Sequence, residues 1–488
     1  MKHLTTKQPL RNSKTMPMSA SKLAFGLGLS ISVVTLALAP LSSTAATPPY
    51  SFKVISSLDS AAPAGGTFVN DFEPGGLSSA GDMAFGADVS TGGEGIFLRH
   101  SGQIIELGRT GGAAPGGGIF EFGFLGPVGL NDQGDTVFSF LLKDFTPPFG
   151  VNAGLYRYSH LTRSVAPVVI PYVTPVPGGG TFQGTSFQPT INNRGDVVFG
   201  GLIATDQGIH NVPNNGEAYI GLGVGIFRSD AGGHTSTVAR PGDAAPGGGT
   251  FDYAYEPWVN DSGDVSFIGH IAGEESVVAG FPPQADFISA LGGLYVRSGR
   301  TGAIRTIVHA GDPAPGGGNF RQTFHAVMNN LGQIAFNGDL TPAPDANQSI
   351  GVFIYSGGQV AAIARPGDLM PGGGHLVNAS IVGGNVHVNN RGDIVFSGVV
   401  DSDADGDGFA DTGLFRWSRG QLSVIARTGT VIPGVGTVDE LASPQLVIPP
   451  APIPTTTSGA INNDAGQVLF QATLTDGSDV LLLATPAK

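Results

Sequence analysis

The chain has 488 residues, 41% of them hydrophobic and only 13% charged, with 77 glycines, 35 prolines and no cysteine. That much glycine and proline disfavours long helices and favours short strands joined by turns, and the missing cysteine excludes disulfides and a lipid-modified N-terminal cysteine. The formal net charge of −14 repels nucleic acid and anionic lipid and suits cations, so nucleic-acid binding is not expected.

In chain order, residues 1–22 carry Lys2, Lys7, Arg11, Lys14 and Lys22 without an acid, and lead into an apolar run from Leu23 to Leu41. The small residues Ser42 to Ala46 follow, which predicts a secretory signal peptide over residues 1–46, cut after Ala46. A retained anchor fits less well, because the run is short for spanning and contains glycines, hydroxyl residues and a proline. Removing the five basic residues of that segment leaves 19 lysines and arginines against 38 aspartates and glutamates, a net charge of −19 on residues 47–488. No later stretch approaches the ~20 apolar residues of a membrane helix, so no integral membrane segment is expected after cleavage.

From residue 78 onward one pattern, Asn-x-x-Gly-x-x-x-Phe, keeps returning. It reads SSAGDMAF at Ser78, NDQGDTVF at Asn131, NNRGDVVF at Asn192, NDSGDVSF at Asn260, NNLGQIAF at Asn329, NNRGDIVF at Asn389 and NDAGQVLF at Asn463. Its glycines, Gly81, Gly134, Gly195, Gly263, Gly332, Gly392 and Gly466, stand 53, 61, 68, 69, 60 and 74 residues apart. Asn can bond its own backbone at a turn entry and Gly accepts the left-handed conformation, so each copy predicts a tight hairpin. A second hairpin follows, as in Gly225 to Arg240, Gly293 to Ala310, Gly351 to Arg365 and Gly413 to Arg427, and then a glycine-rich connector such as Pro241 to Phe251. Four strands repeated seven times predict an all-β, seven-bladed β-propeller forming a single domain over residues 47–488. Phe52 to Ser56 resembles a fourth strand, and the last copy stops after a third strand at Asp479 to Pro486, so pairing of the two chain ends is expected to close the ring. An open β-solenoid is the alternative.

These motifs resemble the bacterial choice-of-anchor tandem repeat NxxGxxxF-containing proteins, over nearly all of Ser51 to Pro486. The resemblance implies an exported surface protein and brings no reaction with it. The chain ends LLLATPAK, without a Pro-Glu-Pro sorting signal, hydrophobic tail or basic tip, so release into the periplasm or the medium is expected.

The sharpest local signal is DSDADGDGFADTG from Asp401 to Gly413. Asp403, Asp405 and Asp407 alternate, Gly408 allows a bend, Phe409 offers a carbonyl and Asp411 follows, which is the spacing of a calcium loop. The twelfth position is Leu414, so a bidentate glutamate is missing and Asp401 or a neighbouring blade would have to supply further oxygen. The expected cofactor is a structural Ca2+.

Arg240-Pro-Gly-Asp243 and Arg365-Pro-Gly-Asp368, with His309 to Asp312 in the same place, recur once per unit, so they predict inter-blade ties by hydrogen bonds and Arg/Asp pairing. His270, His309, His325, His375 and His387 lie in consecutive units and are read as structural, unless some face the axial channel. The longest insertions, Ile203 to Gly223, Ile271 to Gly292 and Val399 to Thr412, share the face of the connectors, which marks that face as the expected binding surface. The reading is a secreted or periplasmic binding scaffold for a glycan, protein or matrix ligand. The alternative is a hydrolase or lyase at the channel mouth, whose residues would converge only in space.

Overall fold

The computed structural model describes residues 50–487 except 124–127, 144–152, 186–187, 205–221, 279–286, 291, 343–348, 380–385 and 442–458. The signal peptide expected over residues 1–46 lies outside the described residues, as does most of the insertion from Ile203 to Gly223. The described residues contain strands and turns but no helix long and apolar enough to cross a membrane.

The repeat builds seven antiparallel sheets arranged as the blades of a propeller. Blade 5 shows the unit: Asn319–Met328, Ile334–Thr341, Ile350–Ser356 and Gln359–Ala364 pair in that order. The first strand is interrupted in blades 2, 3, 6 and 7, where two short segments pair with the same second strand. Blade 4 carries an additional hairpin, Glu275–Val278 with Phe287–Ala290, inside the insertion between its second and third strands. The last blade takes its outer strand from the other end of the chain. Tyr50–Ser57 pairs antiparallel with Asp479–Pro486, Phe52 opposite Ala484 and Ser56 opposite Leu481. That non-local pairing makes a closed ring and removes the solenoid alternative.

The motif phenylalanine explains how the blades adhere. In blade 5, Phe336 packs with Phe320 and Phe353 at centroid distances of 6.0 and 5.7 Å, and the trio sits against Ile268, Leu294 and Val296 of blade 4. The same trio recurs as Phe68, Phe85 and Phe97, as Phe120, Phe138 and Tyr156, as Phe182, Phe199 and Phe227, and as Phe251, Phe267 and Tyr295. One member is the phenylalanine that ends each glycine-rich connector, so connector and motif are built to meet. Each ring is fully or nearly fully buried, contributing about 1.5–3 kcal/mol.

The motif turn is equally regular. In blade 3, Asn192 Oδ1 accepts the N–H groups of Arg194 and Asp196 at 3.0 and 2.9 Å, while Gly195 adopts φ 80° and donates to the Asn192 carbonyl. A β-carbon is disfavoured at that φ, which is why the fourth motif position is glycine. Because strands alternate in direction, motif turns and second hairpins share one end of the propeller, and insertions and connectors share the other.

Candidate functional site

The calcium-like loop lies on the connector end of blade 6. It brings Asp403, Asp405 and Asp407 together, with one carboxylate oxygen of each within 4.8 Å of the others, and all three are exposed. Asp403 accepts the N–H groups of Gly406 and Gly408, and Asp407 accepts that of Phe409, whose ring is exposed. Asp411 is placed differently: it is buried, Oδ1 accepts Ala404 N–H at 3.0 Å, and Oδ2 accepts Ser402 Oγ at 2.6 Å and the Arg427 guanidinium at 2.9 Å. Its carboxylate therefore anchors the loop to its blade, with both oxygens engaged. Two acids of blade 7 feel the charge of this loop. Burial, together with the negative charge of Asp405 and Asp407, pushes Asp439 above the usual carboxylate range, and burial, Asp439, Asp407 and Asp405 do the same to Glu440.

The recurrent arginines do tie blades together, but through carbonyls. Arg240 donates to the Pro177 carbonyl, Arg365 to that of Gly317 and Arg427 to that of Gly373, each on the preceding connector. The aspartates at Asp243 and Asp368 accept the backbone N–H of their own arginine, closing the local turn. His270, His309 and His375 stay on the connector end beside Asp252, Glu274 and Asp401, at 3.4, 3.1 and 3.0 Å.

At the opposite end the motif makes a polar belt of six inter-blade links around the ring. Asn131, Asn192, Asn260, Asn329, Asn389 and Asn463 each send the side-chain amide to the backbone carbonyl of the first motif residue in the next blade, the last reaching Ser78 at 3.0 Å. The second motif position forms a parallel ring in which the N–H groups of Ser79, Asp132, Asn193, Asp261, Asn330 and Asn390 are accepted by the side chain one blade on.

These rings surround an axial cavity of approximately 180 Å³ lined by all seven first strands. Within it six side chains break the repeat: Gln188, Glu256, Trp258, His325, His387 and Asn462. Glu256 and His325 occupy corresponding places in blades 4 and 5, at register breaks in the first strand, and both are left-handed, with φ 51° and 48°. Gln188, in blade 3, has φ 70° at the same place. Such conformations cost roughly 1–3 kcal/mol each in non-glycine residues and concentrate at functional sites. Glu256 accepts the His325 backbone N–H at 2.7 Å, and its other oxygen lies 3.6 Å from His325 Nδ1. Trp258 meets His387 edge to face at 5.3 Å. Asn462 donates to the Asp393 carbonyl at 2.9 Å, which turns its Oδ1 toward His387 Nδ1 at 2.7 Å. Nδ1 therefore carries the hydrogen of the neutral ring and Nε2 keeps a lone pair. Burial lowers the His387 pKa and outweighs the opposing effects of Asn462 and Asp464, so the neutral ring prevails at pH 7.

The sequence profile of a protein family, a family of unknown function named DUF7453, matches residues 48–483. The chain belongs to the DUF7453 family. No protein with a curated description matches it. Among solved structures it is similar to oligogalacturonate lyase from Vibrio parahaemolyticus, at 11% identity and TM-score 0.46, covering 89% of this chain and 96% of that one. It is also similar to the β-propeller domain of the Trilobed protease from Pyrococcus furiosus, at 11% identity and TM-score 0.45, covering 85% and 95% of the two chains. Both likenesses concern the fold alone.

For this DUF7453 propeller, the residues of the sequence placed the calcium-like triad and left His325 and His387 as structural unless they faced the channel; both line it, and Glu256, Trp258 and Asn462 are the parts that sequence reasoning missed in the channel. The channel's signal was present just upstream of the motif. The residue two before the motif Asn is Gly76, Gly129, Thr190, Val327 or Ile461 in five copies but Trp258 and His387 in the others, and the residue one before is apolar in six copies but Asn462 in the seventh.

Proposed function

We propose that this protein is an exported binding propeller that holds a small polar ligand in its axial channel, with a calcium-stiffened loop on the opposite end. The observation that carries the reading is the departure from repetition inside the cavity. The repeated residues satisfy one another in two rings, whereas Glu256, Trp258, His325 and His387 face a space of approximately 180 Å³. A convergent set of a few polar groups and one aromatic face in a concave site is what small-molecule recognition needs. The Glu256–His325 contact is the feature that favours the alternative, a hydrolase or lyase at this mouth.

The test uses Trp417→Phe, which leaves Trp258 as the remaining tryptophan of the two in the chain. Its emission is followed while saccharides and amines are titrated, with Glu256→Gln and His387→Ala as comparisons. Saturable changes weakened in both variants support the channel; changes indifferent to both variants would place the ligand elsewhere and reject it. The calcium part is tested by calorimetric titration with Asp405→Ala and Asp407→Ala, where saturable binding is expected only in the unsubstituted protein. No saturable heat in that protein removes the metal from the proposal.

A further inference from the structure

We infer that the axial channel selects cations, and that its ligand is a protonated amine. The inference rests on the channel being the ligand site and adds the ligand's charge class. Four carboxylates line the cavity, Asp132, Asp261, Asp464 and Glu256, and no lysine or arginine stands among the described lining residues. The partners of the belt acids are neutral. Asp132 and Asp261 accept the Asn193 amide at 3.1 and 3.0 Å, and Asp464 accepts that of Asn390 at 3.0 Å. Neutral donors fix the orientation of a carboxylate without cancelling its charge.

Three arginines of the same end are engaged by other acids. Arg157 pairs with Asp135, Arg228 with Asp196 at 2.8 Å and Arg416 with Asp393 at 2.8 Å, all within their own blades at the fifth motif position. In blades 2, 3 and 6 an arginine thus offsets the outer acid, while the inner acids remain as net charge around a narrow cavity walled by apolar strands, which focuses the field. An anionic ligand such as a uronate or phosphate is repelled there. A neutral polyol gains hydrogen bonds only. A protonated amine gains the field of the carboxylates and the face of Trp258, and the lone pair on His387 Nε2 adds an acceptor rather than a competing charge.

A matched series separates charge from shape: 1,6-diaminohexane, 1,6-hexanediol and adipate, titrated calorimetrically into residues 47–488 at low ionic strength. The diamine is expected to bind at least about tenfold tighter than the diol, with no adipate binding. Glu256→Gln, which keeps an acceptor for His325 N–H, should narrow that ratio to about threefold or less, while Glu121→Gln, at an exposed acid outside the channel, leaves it unchanged. Equal binding of diamine and diol, both lost in Trp258→Ala, would overturn the cation inference and leave the channel site standing. Diamine binding untouched by Glu256→Gln and Trp258→Ala would overturn it by placing the amine on the acidic surface. If neither this series nor any saccharide binds, the channel reading itself falls.

Discussion

Blade 1 carries a natural defect in the belt, and repairing it should stabilise the ring. Ser78 caps its own turn by accepting Asp82 N–H at 2.9 Å, but a hydroxymethyl group is too short to reach the Asn131 carbonyl in the next blade as an asparagine amide does elsewhere. In Ser78→Asn the new side chain should donate to that carbonyl and accept the N–H two residues on, as Asn192 does. Two ordinary hydrogen bonds are worth about 1–3 kcal/mol together, less up to about 1 kcal/mol for the ordered side chain, a net gain of about 1 kcal/mol. For a domain of this size that is a rise of only about 1 °C in melting temperature, so equilibrium urea unfolding is the better assay. The reciprocal variant, Asn192→Ala, removes the bonds to Arg194 and Asp196 N–H, to the Asn260 carbonyl and to the Asp196 carboxylate in a buried setting, and should cost about 2–4 kcal/mol. An unchanged or lowered midpoint in Ser78→Asn, together with a cost below about 0.5 kcal/mol in Asn192→Ala, would refute the belt as a source of stability.

Acid stability should follow the fifth motif position. Burial raises Asp196, but hydrogen bonds from Arg228 and Asn192 and the charges of Arg228 and Arg194 outweigh it, and Asp135 and Asp393 are likewise held below the ordinary carboxylate value. Their contribution is present above the unfolded pKa of ~3.9 and is lost as pH falls through the depressed folded values. Arg228→Met should therefore move acid unfolding, followed by circular dichroism, to higher pH. Asp439 and Glu440 have the opposite sign, because raised folded pKa values favour the folded state at low pH and disfavour it once both groups ionise. The calcium-induced rise in melting temperature should accordingly be larger at pH 7 than at pH 4. Finally, a chain beginning at residue 58 lacks the strand Tyr50–Ser57 that completes blade 7, and should lose cooperative unfolding, with recovery when a peptide of residues 48–58 is added.

Much of the fold is legible in the residues because it depends on local chemistry. An asparagine that caps its own turn, a glycine at positive φ and a phenylalanine at fixed distance after it specify a hairpin wherever they occur, and seven copies set the blade number. The orphan strand at one end and the three-stranded unit at the other even anticipated ring closure. The aspartate triad was equally local, since Asp403, Asp405 and Asp407 converge within one short loop.

What the sequence could not supply was anything that depends on which blade lies next to which. The cross-blade destination of each asparagine amide, the engagement of Asp411 by Arg427, and the nearness of Asp439 and Glu440 to the calcium-like loop appear only once the blades are packed. The channel is the extreme case. Glu256, His325 and His387 stand in three different repeats, and Asn462, which fixes the His387 tautomer, stands in a fourth. By itself the sequence determined the repeating unit, because hairpins form from neighbours along the chain. Only the tertiary structure decided the site, because a ring converts the same position in successive repeats into neighbours around an axis, and departures from the repeat then face one another across a common cavity.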